Sequence, residues 1–179
     1  MSEPQSDQRI PTFIENLTRL DAGGKARLKR SAGRSLDEAN HNLALFYSLL
    51  PKPGVPVSQE PNYWLVATLY PLADAATAGT FGAALYRARA TANAKGLDRR
   101  VEVLLDSDSA QLAYRLGQAV RFLHSNRVPV NWQGLLEDLL QWEHPSHFVQ
   151  KKWAKDYFGA TSRPATANAT QDIVAEETN

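Results

Sequence analysis

The residues of this chain best placed to do chemistry are basic, and they come in two blocks. From Arg19 to Arg34 stand Arg19, Lys25, Arg27, Lys29, Arg30 and Arg34 against the single acid Asp21, a local charge of +5. From Arg87 to Arg100 stand Arg87, Arg89, Lys95, Arg99 and Arg100 against Asp98, a local charge of +4. Groups of this kind neutralise phosphate, arginine with a bidentate fork and lysine as a point charge. At about 100° per residue on a helix, Arg27, Arg30 and Arg34 share one face and Lys25 and Lys29 another. A solvated basic face ordinarily carries ion pairs, yet no acid stands four residues before Lys29, Arg30 or Arg34. The pattern therefore calls for an anion, either a nucleic-acid backbone or an acidic protein partner.

The remaining candidates are weaker. Glu143-His144-Pro145-Ser146-His147 is the one dense run of potential metal ligands, with Asp156 not far along the chain. Its spacing is not that of a zinc-protease helix, Pro145 intervenes and a third ligand is missing, so a polar helix entry is the better reading than a hydrolase built on His144 and His147. Gly23-Gly24-Lys25 has Arg19 where a phosphate loop needs glycine and Ala26 where it needs Ser or Thr. It reads as a flexible turn between helices. Asp106 and Asp108, beside Ser107 and Ser109, read as helix caps, and His41 and His124 have no Ser or carboxylate at triad-like positions. No metal and no cofactor is expected.

Those basic blocks must be held by helices. Trp132, Leu135, Leu136, Leu139 and Leu140 repeat at helical spacing behind Asn131 as N-cap, and Leu112, Leu116, Ala119, Val120 and Leu123 do so behind Asp106–Ser109. Phe81, Ala84, Leu85, Ala88 and Ala92 make a third stripe. Ser35-Leu36-Asp37-Glu38 has capping-box spacing and predicts a helix through Leu50, followed by a loop holding Pro51, Pro53, Pro56 and Pro61. Asn62 to Ala76 is apolar nearly all round and predicts the most buried helix. Pro145 and Gly159 bracket a final helix over 145–158 that buries Val149, Trp153 and Tyr157. No period-2 strand pair is present, and Val101–Leu105 reads as helix.

The fold class is accordingly all-α: a single-domain multi-helix bundle over 10–159, with a flexible N-terminus over 1–9 and a disordered polar tail over 160–179. A chain of 179 residues that is 43% hydrophobic can bury one core. It has no cysteine, no apolar run long enough for a bilayer, and a polar, acidic start, so a cytoplasmic protein with no membrane partner is expected. The overall charge of +1 argues against a nucleic-acid binder until the two blocks are seen.

Taken in order, Leu20-Asp21, Gly24, Ala26, Leu28-Lys29-Arg30, Arg99-Arg100, Arg121, Asn131-Trp132, Leu135-Leu136, Leu139, Trp142, Trp153-Ala154 and Tyr157-Phe158 resemble the CasB family over about residues 11–159. CasB is the small subunit of Cascade, the type I-E CRISPR surveillance complex. The resemblance implies an all-helical, non-catalytic protein present in two copies, in contact with other Cascade subunits, guide RNA and target DNA. It carries the family's basic positions onto Lys29, Arg30, Arg99, Arg100 and Arg121. Lys29 stands where the family often has arginine, which loses the bidentate fork but not the charge. Arg27, Arg34, Arg87 and Arg89 complete the expected nucleic-acid-binding set as members of the same basic field.

Overall fold

The computed structural model describes residues 8–39, 41–90 and 94–159, apart from the side chain of residue 94. The tail expected over 160–179 and residues 1–7 of the expected N-terminal segment lie outside the described residues. Arg9, assigned to that segment from sequence, instead opens the first helix.

Among the described residues the chain forms α1 (Arg9–Thr18), α2 (Ala22–Arg30), α3 (Leu43–Leu49), α4 (Glu60–Leu69), α5 (Phe81–Arg89), α6 (Ala94–Leu105), α7 (Ser109–Ser125), α8 (Trp132–Leu140) and α9 (Phe148–Ala154). There is no strand among them, only an isolated parallel bridge between Ala75 and Val130. Buried side chains from every helix join one core. No described helix is long and apolar enough to cross a membrane.

The core is organised on α4, where each residue from Tyr63 to Leu69 is buried, as is Tyr70 just after it. An apolar sequence with no polar stripe has no side to turn to water, so it takes neighbours all round. Phe13 of α1 meets Tyr63 edge-on at 4.8 Å, Phe46 of α3 meets Trp64 at 5.3 Å, and Trp132 of α8 meets Tyr70 at 5.5 Å. The Trp64 indole donates to Arg34 O at 2.9 Å, and Thr18 and Tyr70 share a hydroxyl hydrogen bond of 2.9 Å.

A second group of helices, α5, α6, α7 and α9, packs around Phe81, Trp142 and Trp153. Trp142 donates to Ser107 O at 3.0 Å, and Trp153 donates to the buried carboxylate of Asp138 at 2.6 Å, which Lys152 also contacts. Gly82 lets α5 press directly on the backbone of α9: a Cβ there would lie 2.4 Å from Trp153 O.

Several sequence expectations meet a different outcome. Gly23-Gly24-Lys25 is not a flexible turn but the first turn of α2, because Asp21 caps it by accepting from Gly24 N–H at 2.7 Å. A side chain at Gly24 would meet Leu20 Cδ2 at 2.8 Å, so the glycine serves close packing. The capping box at Ser35 forms, with Ser35 N–H donating to Glu38 at 3.0 Å, yet it opens only the short turn Leu36–Glu38. The helix expected to run on to Leu50 is confined to α3 because Asn42 is claimed by α2, donating to Ser31 Oγ at 2.7 Å and Arg27 O at 3.2 Å. Pro61 lies in the first turn of α4 rather than in the loop, where its missing N–H costs nothing. The helix expected to reach Ala76 tightens over Tyr70–Leu72 at Pro71, and the chain beyond is extended enough to bridge Val130. The last helix starts at Phe148, not Pro145, behind His147 with a φ of 49°, and closes in the wide turn Lys155–Gly159. The three residues expected to anchor it, Val149, Trp153 and Tyr157, are all buried.

Candidate nucleic-acid interface

On α2, Gly24 and Leu28 are the buried positions, and this fixes the rest of the helix. Lys29 and Arg30 follow Leu28 by one and two residues, so they turn away from the core and are exposed. Cations in the last turn suit the helix dipole, by about 0.3–1 kcal/mol each at a surface. That accounts for some charge there but leaves the cations without acids. Arg27 is exposed yet tethered, donating to Asn42 Oδ1 at 3.2 Å and His41 O at 3.3 Å.

Arg34 does not share the α2 face. The helix ends at Arg30, and Gly33, at a φ of 89°, turns the chain before Arg34 is reached. Arg34 instead lines a groove of about 640 Å³ with Trp64, Tyr114 and Trp142.

In the second block, Leu97, Val101 and Leu104 bury one face of α6 and leave Arg99 and Arg100 exposed. Arg87 is exposed on α5. Arg89 is not: its side chain is 30% exposed and grips Asp98, Nε to Oδ1 at 3.1 Å and Nη2 to Oδ2 at 3.2 Å. The Tyr157 hydroxyl donates to the same carboxylate at 2.7 Å. The bonds from Arg89 and Tyr157 hold the Asp98 carboxyl below its ordinary range, while burial and the bond to Asp98 push the Tyr157 hydroxyl up. Arg89 thus braces α5 against α6 and the last turn of the chain.

Arg121 is exposed on α7 and lies back over Gly117, with Nη1 3.4 Å from where a Cβ would stand. Two cavities lined by other residues of α7 connect that helix to both blocks. Lys25 of α2 and His124 of α7 line one cleft of about 220 Å³, floored by Tyr70–Ala75. Arg100 of α6 lines another with Arg115 and Gln118 of α7. Positions 115, 118, 121 and 124 are successive steps of three along α7, each turned about 60° from the last, so they wind around the helix from the side that meets α6 to the side that meets α2. Sequence reasoning left Arg115 and His124 out of the binding set and placed Lys25 on a helix face with Lys29 without assigning it to that set. The signal for Arg115 and His124 was only that they stand on the same helix as Arg121.

Among the described residues the carboxylate pairings are Arg19 with Glu15, Arg89 with Asp98 and Lys152 with Asp138, so Lys29, Arg30, Arg34, Arg87, Arg99, Arg100 and Arg121 have none. The histidine run is otherwise engaged. His144 Nδ1 shares a 2.9 Å hydrogen bond with Ser146 Oγ, its ring meets Phe148 at 5.1 Å, and Glu143 accepts from Ser109. Among the described residues no three His, Asp or Glu side chains are grouped to hold a metal. Asp108 caps α7, accepting from Gln111 N–H at 2.9 Å.

Comparison with known proteins agrees with this architecture. A family model described as CRISPR-associated protein Cse2 matches residues 24–158. A Cse2 protein of Thermus thermophilus is 37% identical over 101 residues, 55% of this chain and 56% of the relative, so the match spans little more than half of that relative's length. The crystal structure of CasB from Thermus thermophilus superposes with a TM-score of 0.72 at 28% identity, over 84% of this chain and 97% of the other. A chain of a CRISPR RNA-guided surveillance complex shares the fold, with a TM-score of 0.70 at 19% identity over 85% and 92% of the two chains. With three quarters of its length under the family model and the helical frame reproduced, this chain belongs to the Cse2 family of CRISPR-associated proteins, the family also called CasB.

Proposed function

We propose that the chain is the small, non-catalytic subunit of a cytoplasmic CRISPR RNA-guided DNA surveillance complex of the type I-E Cascade kind, and that it stabilises the R-loop in antiviral defence by holding nucleic acid through its phosphate backbone. The observation that carries this reading is the set of exposed cations on α2, α6 and α7 with no carboxylate partner among the described residues: Lys29, Arg30, Arg99, Arg100 and Arg121. Arg87 extends the set. Family membership and the shared fold with a surveillance-complex chain support it.

Opening a duplex against a guide is nearly balanced in pairing energy, so a few protein contacts to the backbone tip it. Such contacts position a strand and carry no sequence information, which base pairing supplies. The partners are then the other Cascade subunits, guide RNA, a target or displaced DNA strand and a second copy of this chain. The test is isolation from cells expressing the complex. Copurification with a short RNA and several proteins is expected. In purified form, single-stranded DNA should outcompete an acidic polypeptide of matched charge; the reverse order would favour a helical scaffold whose basic faces dock acidic proteins.

A further inference from the structure

Between α5, α6 and α7 lies a narrow cavity of about 50 Å³, where one water needs roughly 10–15 Å³. Its walls are apolar. Leu85, Leu97, Val101 and Leu104 are buried, and Ala119 and the ring of Phe122 are partly so. Water in such a slot has few polar partners, and its displacement by an apolar group is favourable.

The same slot is lined by two guanidiniums, Arg100 and Arg115. Neither has a carboxylate within ion-pairing distance among the described residues. Among the described residues Arg115 reaches Gln111 Oε1 of its own helix, at 3.4 Å. Gln118 adds an amide, donating to the Tyr114 hydroxyl at 2.7 Å. An apolar slot bordered by uncompensated cations fits a molecule with a flat apolar body and an anion beside it. A nucleotide of a single strand has that composition, and every base offers a face to an aromatic wall.

Resting on the reading of the chain as a backbone binder, we propose that this slot takes one unstacked base of a single strand, with Phe122 against the ring and Arg100 and Arg115 on the flanking phosphates. The chain then holds a strand by a base as well as by charge, without reading its sequence.

The test uses the full chain and two probes of equal length, oligothymidylate and the same strand made abasic. Thymidylate should bind about tenfold more tightly, the scale of one base–aromatic contact. Ala119→Met, which fills the slot and leaves the charges, should abolish that preference with abasic binding unchanged. Because filling the slot can disturb folding, a strand carrying 4-thiothymidine is also photo-crosslinked to the unaltered chain, with adducts expected on Phe122 or within residues 97–104. Equal affinity for the two strands overturns the base slot and leaves backbone binding standing, whereas binding of neither overturns both. A preference that survives in folded Ala119→Met, or adducts confined to other segments, places the base elsewhere and overturns the proposal.

Discussion

Arg89 and Asp98 face each other across α5 and α6 in a two-point pair, at 3.1 and 3.2 Å, and the pair decides which arginines of the second basic block remain available. The block's single acid is spent on its one half-buried arginine. Arg87, Arg99 and Arg100 are left without it. A brace and a binding surface are thus separated within fourteen residues of sequence, from Arg87 to Arg100.

The brace predicts a pH signature. A carboxyl held low contributes stability that is complete above its ordinary value and is lost as pH falls through the depressed one. Asp98→Asn should therefore melt below the native protein at neutral pH. The gap should close as pH drops below about 4. Melting curves taken from pH 7 to pH 3 check this, and a gap that does not narrow at all below pH 4 would show that the charge of Asp98 is not what matters.

Tyr157 predicts the opposite flank. Its hydroxyl is pushed up by burial and by Asp98, so its contribution is present below tyrosine's ordinary value and fades as pH rises through the folded one. Tyr157→Phe should cost about 1 kcal/mol near neutrality, the net worth of a buried hydrogen bond. The difference from the native protein should shrink above about pH 10.

Close packing supplies a third expectation. Gly82→Ala must push α5 off Trp153, whose carbonyl would lie 2.4 Å from the new carbon. Overpacking of this kind costs about 1–3 kcal/mol, read as a fall in Tm. Gly23→Ala is the contrast, since its nearest neighbour would be Asp21 at an ordinary 3.7 Å. There the melting temperature should hold or rise, because alanine is the better helix former.

How legible this was in the sequence depended on the range of the interactions involved. Asp108 and Asn131 cap α7 and α8 from within three residues, so spacing alone located both helices. The break between Glu38 and Leu43 was invisible because Asn42 is captured by Ser31 and Arg27, which only the fold brings near. Helical phase extended past Arg30 puts Arg34 on the α2 face, although Gly33 is a stop signal in the sequence itself. Arg89 looked as available as Arg87. Its pairing with Asp98 required α5 and α6 to be packed together. The ordered motifs from Gly24 to Phe158 made the family legible because their spacing follows the helical frame, and the family model matches 24–158 where sequence reading expected 11–159.

Position on the surface separates the remaining arginines. Arg34→Glu should weaken strand binding less than Arg100→Glu, because Arg34 lines a different groove, with Trp64 and Tyr114, from the slot that Arg100 shares with Arg115. Titration of both variants against one single strand checks the order.

The most direct measurement is the salt dependence of single-stranded DNA binding by the native chain and by the double variant Arg100→Glu, Arg121→Glu. Both residues are exposed and unpaired with acids among the described residues, so folding and Tm should be unaffected. On a single strand each phosphate contact contributes about 0.7 to the slope of log affinity against log salt. The account predicts weaker binding and a slope flatter by about 1.4 for two lost contacts. Native affinity and an unchanged slope in a folded double variant would contradict it.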